Sequence, residues 1–253
     1  MRDAPEWLVP DDEPHTDADL GTLRSGKEAQ VDLVERTSEE DGRTCLLVRK
    51  RYLPRQVSQK GELEALGVQR ASAFRNDSVY RAGRRFRSSR DARAVERGSR
   101  HGRQVLRASW FGAEHEVLGR LWEAGAPVPY PVGHHGNELL LEYVGDRDQA
   151  APQLAGARLR GAALASAWEQ LVGALRTMTE AGVIHADLSA YNLLWWHGRL
   201  WVIDLPQAVD LALNADGLDL LHRDVANVCR WFSRRGLERD PEAVFADLVA
   251  RAF

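Results

Sequence analysis

The sequence predicts an α+β protein of two lobes, a strand-rich first lobe and a short helical second lobe. Three observations carry this. Short runs rich in β-branched and apolar residues crowd the first fifty positions, around the hairpin signal Asp41-Gly42. Long stretches with helical apolar spacing fill the last hundred. Between them, Gly145 follows the buried strand pattern Glu138 to Val144 and marks a natural hinge.

Taken in order, the first expected strands are Leu20 to Leu23, Gln30 to Glu35 and Thr44 to Lys50. Residues 1–19 hold seven acidic side chains against Arg2 alone and are expected to form an acidic tail. Residues 70–107 hold twelve arginines against Asp77, Asp91 and Glu96. With Gly and Ser interspersed and little apolar periodicity, this block reads as an Arg-rich loop spanning about 54–107. Its charge suits phosphate-bearing partners, RNA among them. An amphipathic helix follows over Ala108 to Ala124, stopped by Gly125, and the prolines at 127, 129 and 131 hold an extended connection. The second lobe, 145–253, reads as a helix from Leu159 to Ala181 closed by Gly182, short strands Leu193 to Trp196 and Leu200 to Ile203, and helices 217–234 and 241–253.

The 44% hydrophobic and 28% charged content belongs to a globular chain able to bury a core. No window approaches the ~18 consecutive apolar residues of a membrane span, and the N-terminus lacks the order of a signal peptide. A cytoplasmic location is therefore the expectation. Cys45 and Cys229 are too few for a disulfide framework or a zinc site.

The chemistry concentrates in Val183-Ile184-His185-Ala186-Asp187-Leu188-Ser189-Ala190-Tyr191-Asn192, followed by Trp201-Val202-Ile203-Asp204-Leu205. An Asp stands five residues before an Asn on a short loop, and a second Asp ends an apolar strand. Phosphoryl transfer from ATP needs a carboxylate to orient the attacking hydroxyl and oxygen ligands to hold Mg²⁺ against the phosphates. Asp187 suits the first task, Asn192 and Asp204 the second.

These residues resemble the RIO family of atypical protein kinases. The catalytic loop of ordinary kinases reads H-R-D-x-x-x-x-N and the metal loop D-F-G, where this chain has His185-Ala186-Asp187 to Asn192 and Asp204-Leu205-Pro206-Gln207. The Ser-x-Tyr-Asn ending and the Asp-x-x-Gln metal loop are the RIO-like variants. The resemblance implies a bilobal protein-kinase-like fold with a β-rich N-lobe, residues 20–144, and a short helical C-lobe. It implies ATP and Mg²⁺ as cofactors, with Mn²⁺ as an alternative ion.

By the same resemblance, Ser25-Gly26-Lys27-Glu28-Ala29 looks like the family's phosphate loop, with a Ser and a Lys in place of extra glycines. Lys50, in Val48-Arg49-Lys50-Arg51-Tyr52, resembles the lysine that binds the α and β phosphates. Strand alternation sends Arg49 and Arg51 to the opposite face. Its carboxylate partner is expected from Ala113-Glu114-His115-Glu116, with Glu116 preferred over Glu114 on its match to the family pattern. The resemblance further implies adenine contacts at Glu142 C=O and Val144 N–H, with Leu141 at the back of the pocket. In kinase-like loops a residue such as His185 braces the metal loop. His134-His135 and Trp195-Trp196 read as turn and core residues.

The leading functional expectation is thus an ATP-dependent serine/threonine protein kinase acting on a protein substrate or on itself. The family also implies slow ATP hydrolysis through a phosphorylated Asp204 as a switch. Two other readings stand beside it. A small-molecule phosphotransferase resembling aminoglycoside kinases shares H-x-D-x-x-x-x-N, but carries a long helical insert for which the fifty residues after Asp204 leave no room. A binding protein using the Arg-rich loop on RNA or a ribosomal precursor would keep the nucleotide site as a clamp. No membrane partner is expected.

Overall fold

The structure, a computed structural model, describes residues 3–26, 29–52, 100–136 and 138–252, leaving aside the side chains of Tyr52 and of 100–111. Most of the expected Arg-rich loop, including Arg81, Arg84, Arg85, Arg87 and Arg90, lies outside the described residues, as does Lys27.

Five strands form one antiparallel sheet: β1 (His15–Ser25), β2 (Ala29–Ser38), β3 (Thr44–Tyr52), β4 (Pro131–His135) and β5 (Glu138–Glu142), in the order β1-β2-β3-β5-β4. Alternation along β3 divides its side chains between two environments. Cys45 and Leu47 face one side, where they pack with Val34, Leu140, Leu8 and Val9. On the other side Lys50, in register with Val31 and Leu139, turns toward α1 (Arg100–Glu123).

The acidic residues expected in a tail are instead part of the fold. β1 begins at His15, five residues ahead of the expected Leu20, and the segment before it lies as a strap across the sheet, with Leu8 and Val9 fully or nearly buried. The physical reason is charge pairing. Arg36, only 1% exposed, donates to Asp11 at 2.6 Å and to Asp17 at 2.8 Å, and Arg49 reaches Asp19 at 2.7 Å. A guanidinium buried in a sheet needs such acceptors, because removing it from water unpaired would cost several kcal/mol.

Two further departures are local. α1 starts at Arg100, so residues 100–107, expected within the Arg-rich loop, are helical. The proline-bearing connection contains a strand, β4, because Pro131 occupies its first position, where no ladder hydrogen bond is lost. His134 lies on that strand with its ring 5.1 Å from that of His115.

After Gly145 come α2 (Gly161–Glu180), β6 (Val183–Ile184), β7 (Leu193–Trp196), β8 (Arg199–Val202), β9 (Val209–Asp210), α3 (Gly217–Ser233) and α4 (Pro241–Ala252). β6 pairs with β9 and β7 with β8, each antiparallel. One apolar core joins Leu118, Leu121 and Trp122 of α1 and Leu139 of β5 to Leu171 and Met178 of α2 and Val225 and Phe232 of α3. The helix behind the sheet therefore shares one core with the sheet and the helical half. Among the described residues no helix is long and apolar enough to cross a membrane.

Arg36→Ala should lower stability by about 3 kcal/mol in a urea denaturation series. This is the lower end for breaking a buried pair, since Asp11 and Asp17 keep 27% and 22% of their side chains exposed.

Candidate active site

Two short ladders set the site. β6 leads straight into His185-Ala186-Asp187, and its partner β9 follows the metal loop, so one pairing fixes the roots of both segments. Ala186 has φ 63° and Asp204 φ 65°, left-handed values that an aspartate adopts more readily than an alanine, which needs its surroundings to impose them.

The imposing group beneath the first is Asp224 of α3. It is 1% exposed and accepts from the amides of Ala186 at 2.7 Å and Leu188 at 2.9 Å. Arg223 adds a hydrogen bond to the Ala186 carbonyl, and Asn227 Nδ2 lies 3.5 Å from that of Leu188. Burial pushes the Asp224 pKa above its ordinary value, against the pull of the two amides and of His185. Ala186 and Leu188 are buried and tied down, while Asp187 between them is exposed.

The loop then closes on itself. Ser189 Oγ accepts from the Tyr191 amide at 3.3 Å, and Asn192 Nδ2 donates to the Asp187 carbonyl at 2.8 Å. Asn192 in turn receives the Ile203 amide at 3.0 Å, and Ile203 returns its carbonyl to His185 Nε2 at 3.0 Å. His185, 1% exposed, thus joins the catalytic loop to the strand end that carries Asp204.

Above, Lys50 Nζ donates to Glu114 at 2.9 and 3.2 Å and to Asp204 Oδ1 at 2.7 Å. Glu114, not the expected Glu116, is the carboxylate on Lys50. The reason is helix phase. Glu114 shares the buried stripe of Leu118 and Leu121, at i+4 and i+7, and is 3% exposed, whereas Glu116 is turned about 200° around the helix and is exposed. Arg49 and Arg51 lie on the sheet's other face, paired with Asp19, Asp32 and Glu138. Asp204 is raised by burial but lowered more by the Lys50 charge and hydrogen bond, so its carboxyl sits below the usual range and is ionised at neutral pH.

Ser25 ends β1, and the Gly26 amide closes the following turn on the Ala29 carbonyl at 2.9 Å. On β5, Leu141 pairs in register with Val48, and Glu142 is fixed to Tyr130 by its amide and its carboxylate. Val144 gives its carbonyl to the Ala151 amide at 2.9 Å, while its own N–H finds no partner among the described residues. Gly145, φ 154°, is required here: a Cβ would stand 2.6 Å from the Gln149 carbonyl and 2.7 Å from the Tyr143 ring.

Among the described residues no group of three His, Cys, Asp or Glu could hold a metal by itself. Asn192 Oδ1 and the Asp204 carboxylate are hard oxygen donors, a pair that fits a cation completed by phosphates and water. Asp224, Arg223 and Asn227 were not among the expected site residues. Asp224's only sequence signal is a carboxylate set among the apolar positions Leu220, Leu221, Val225 and Val228 of one helix face.

The sheet, the helix behind Lys50 and the loop braced from α3 define a protein-kinase-like fold. A family model, the RIO domain, matches residues 67–244. The RIO-type serine/threonine-protein kinase Rio1 of Thermoplasma acidophilum is 34% identical over 135 residues, 53% of this chain and 69% of that one. Rio1 of Haloferax volcanii is 37% identical over 142 residues, 56% of this chain and 48% of that one. RIO3 of Bos taurus is 28% identical over 219 residues, 86% of this chain and 39% of that one. The chain thus spans less than half the length of the last two. The chain belongs to the RIO family of serine/threonine kinases.

Glu114→Gln should reduce ATP turnover by about tenfold or more by freeing Lys50, whereas Glu116→Gln should stay within about twofold. Steady-state kinetics on the two variants checks the assignment, and equal losses would reverse it.

Proposed function

We propose that the chain transfers the γ-phosphoryl group of Mg-ATP to a serine or threonine hydroxyl of a protein, itself included, in the cytoplasm. One observation carries the reading: Lys50 is shared between a buried helix carboxylate and Asp204, directly above a loop whose braced backbone leaves Asp187 exposed. Adenine takes the Glu142 carbonyl and the Val144 N–H, with Leu141 behind it. Ser25, Gly26 and Lys27 close over the phosphates, and Lys50 moves its third hydrogen bond from Asp204 to the α and β phosphates. Asn192 and Asp204 would hold Mg²⁺, which would supply positive charge to the phosphate oxygens. Asp187 orients the hydroxyl, its oxygen attacks phosphorus, the bond to the bridging oxygen breaks, ADP leaves and the proton passes to Asp187. The lobes divide at Val144–Gly145.

Hydrolysis through a phosphorylated Asp204 is a second reading, favoured by the 50% exposure of that side chain. An acyl phosphate is hydroxylamine-labile and a phosphoserine is not, so treating the labelled protein separates the two. The Arg-rich segment is proposed to meet RNA or a ribosomal precursor on its charge alone.

Asp204→Asn should abolish Mg²⁺-dependent transfer, a fall of about 10²-fold or more, while circular dichroism shows the fold retained. Labelled ATP with the purified protein and a generic protein acceptor measures it. Wild-type turnover in this variant would remove Asp204 from the site.

A further inference from the structure

The face of α3 that braces the catalytic loop does not end with it. Arg223, Asn227, Arg230 and Arg234 are spaced i, i+4, i+7 and i+11, which places them along one side of the helix. Arg230 Nη1 donates to Asn227 Oδ1 at 3.2 Å, so the stripe continues outward from Leu188, the neighbour of Asp187. Past the helix end, Arg235 stacks on Trp231 at 3.7 Å and donates to the Ala155 carbonyl at 3.2 Å, and Arg239 lies over Trp168 at 5.6 Å. Ala155 belongs to the connection that also carries exposed Arg158 and Arg160, and in which Gln153 donates to the Tyr191 carbonyl at 2.7 Å. Arginines therefore border the catalytic loop on its Leu188 side and on its Tyr191 side.

Several arginines elsewhere among the described residues pair with carboxylates, as buried Arg36 and the more accessible Arg49, Arg51 and Arg176 do, while exposed Arg24 and Arg199 stand singly and far apart in the chain. Among the described residues, none of Arg158, Arg160, Arg230, Arg234, Arg235 and Arg239 has a carboxylate at ion-pair distance. The segments 153–160 and 217–240 hold seven arginines against Asp219, Asp224, Glu238 and Asp240, of which Asp224 is taken up by the catalytic-loop amides and Asp240 caps the Glu242 amide. A patch in which cationic side chains outnumber acidic ones and form no ion pairs with them attracts anions. Trp168 is buried, and both Trp168 and Trp231 have a guanidinium over the ring, so neither presents the open aromatic platform on which nucleic-acid bases stack.

We propose that this strip docks an acidic stretch of the acceptor protein, carboxylates or phosphorylated side chains, beside the hydroxyl that Asp187 orients. The proposal rests on the kinase reading and names its substrate class. Acidic residues near the target hydroxyl bind Arg230 and Arg234 along α3, and those farther away reach Arg158 and Arg160.

Two peptides with the same serine, flanked by glutamates in one and glutamines in the other, test it with wild-type protein and the triple variant Arg158→Gln/Arg160→Gln/Arg234→Gln. These three side chains are exposed and hold no catalytic group. Wild type should show a KM about tenfold lower for the Glu peptide, and the triple variant should lose that preference with kcat and the KM for ATP unchanged. Anisotropy with fluorescein-labelled Glu peptide, and with a single-stranded RNA of equal charge, reads binding without turnover. Arg-dependent binding of the Glu peptide with no transfer to either peptide would keep the docking surface and overturn the kinase reading. Transfer with equal KM for both peptides would overturn the docking surface and keep the kinase. Arg-dependent binding of the RNA in preference to the Glu peptide would overturn the acidic-protein partner.

Discussion

A buried carboxylate on α3 governs the geometry of the catalytic loop. Asp224 accepts two backbone amides that the left-handed turn at Ala186 would otherwise leave without partners, and each such amide abandoned in the interior would cost about 1–3 kcal/mol. The turn is strained, the acceptor compensates it, and the result is that Asp187 emerges between two immobilised neighbours. The Asn192 and His185 side chains and the Ile203 amide then extend the same fixation to Asp204 through hydrogen bonds to backbone carbonyls. The reacting groups need no rigidity of their own because the peptide units carrying them have it.

The sheet solves a complementary problem. It must hold Lys50 in a partly apolar setting without neutralising it, and Glu114, buried on α1, supplies the counter-charge. On the reverse face Arg36 poses the same difficulty and is answered by Asp11 and Asp17. The acidic N-terminal composition is therefore structural: it supplies acceptors for cations that the strands turn away from the cleft.

How much of this was legible in the sequence depended on distance along the chain. Asp187, Asn192 and Asp204 lie within eighteen residues and their types announce their chemistry. The β3 alternation likewise separates Lys50 from Arg49 and Arg51 before any coordinates are known. Glu114 and Glu116 could not be told apart without the phase of α1, which depends on where the helix begins and what it packs against. β6 and β9, two residues each, are too short for any periodicity to reveal. Asp224 stood in plain view among leucines and valines, but its meaning requires knowing that a loop nearly forty residues earlier would lie over it. The strap is not legible because acidic composition argues for solvent until a buried arginine is known to need it.

The apolar core that runs from α1 into α2 and α3 has a mechanical consequence. Leu118, Leu121 and Trp122 share one core with Leu139 of the sheet and with the helical half, so the helix is held by both, while its carboxylate grips a lysine rooted in the sheet. Any motion that slides the sheet along this helix must shear Lys50 across Glu114 and disturb that core. The ion pair is then a latch, engaged only while sheet and helix keep this register.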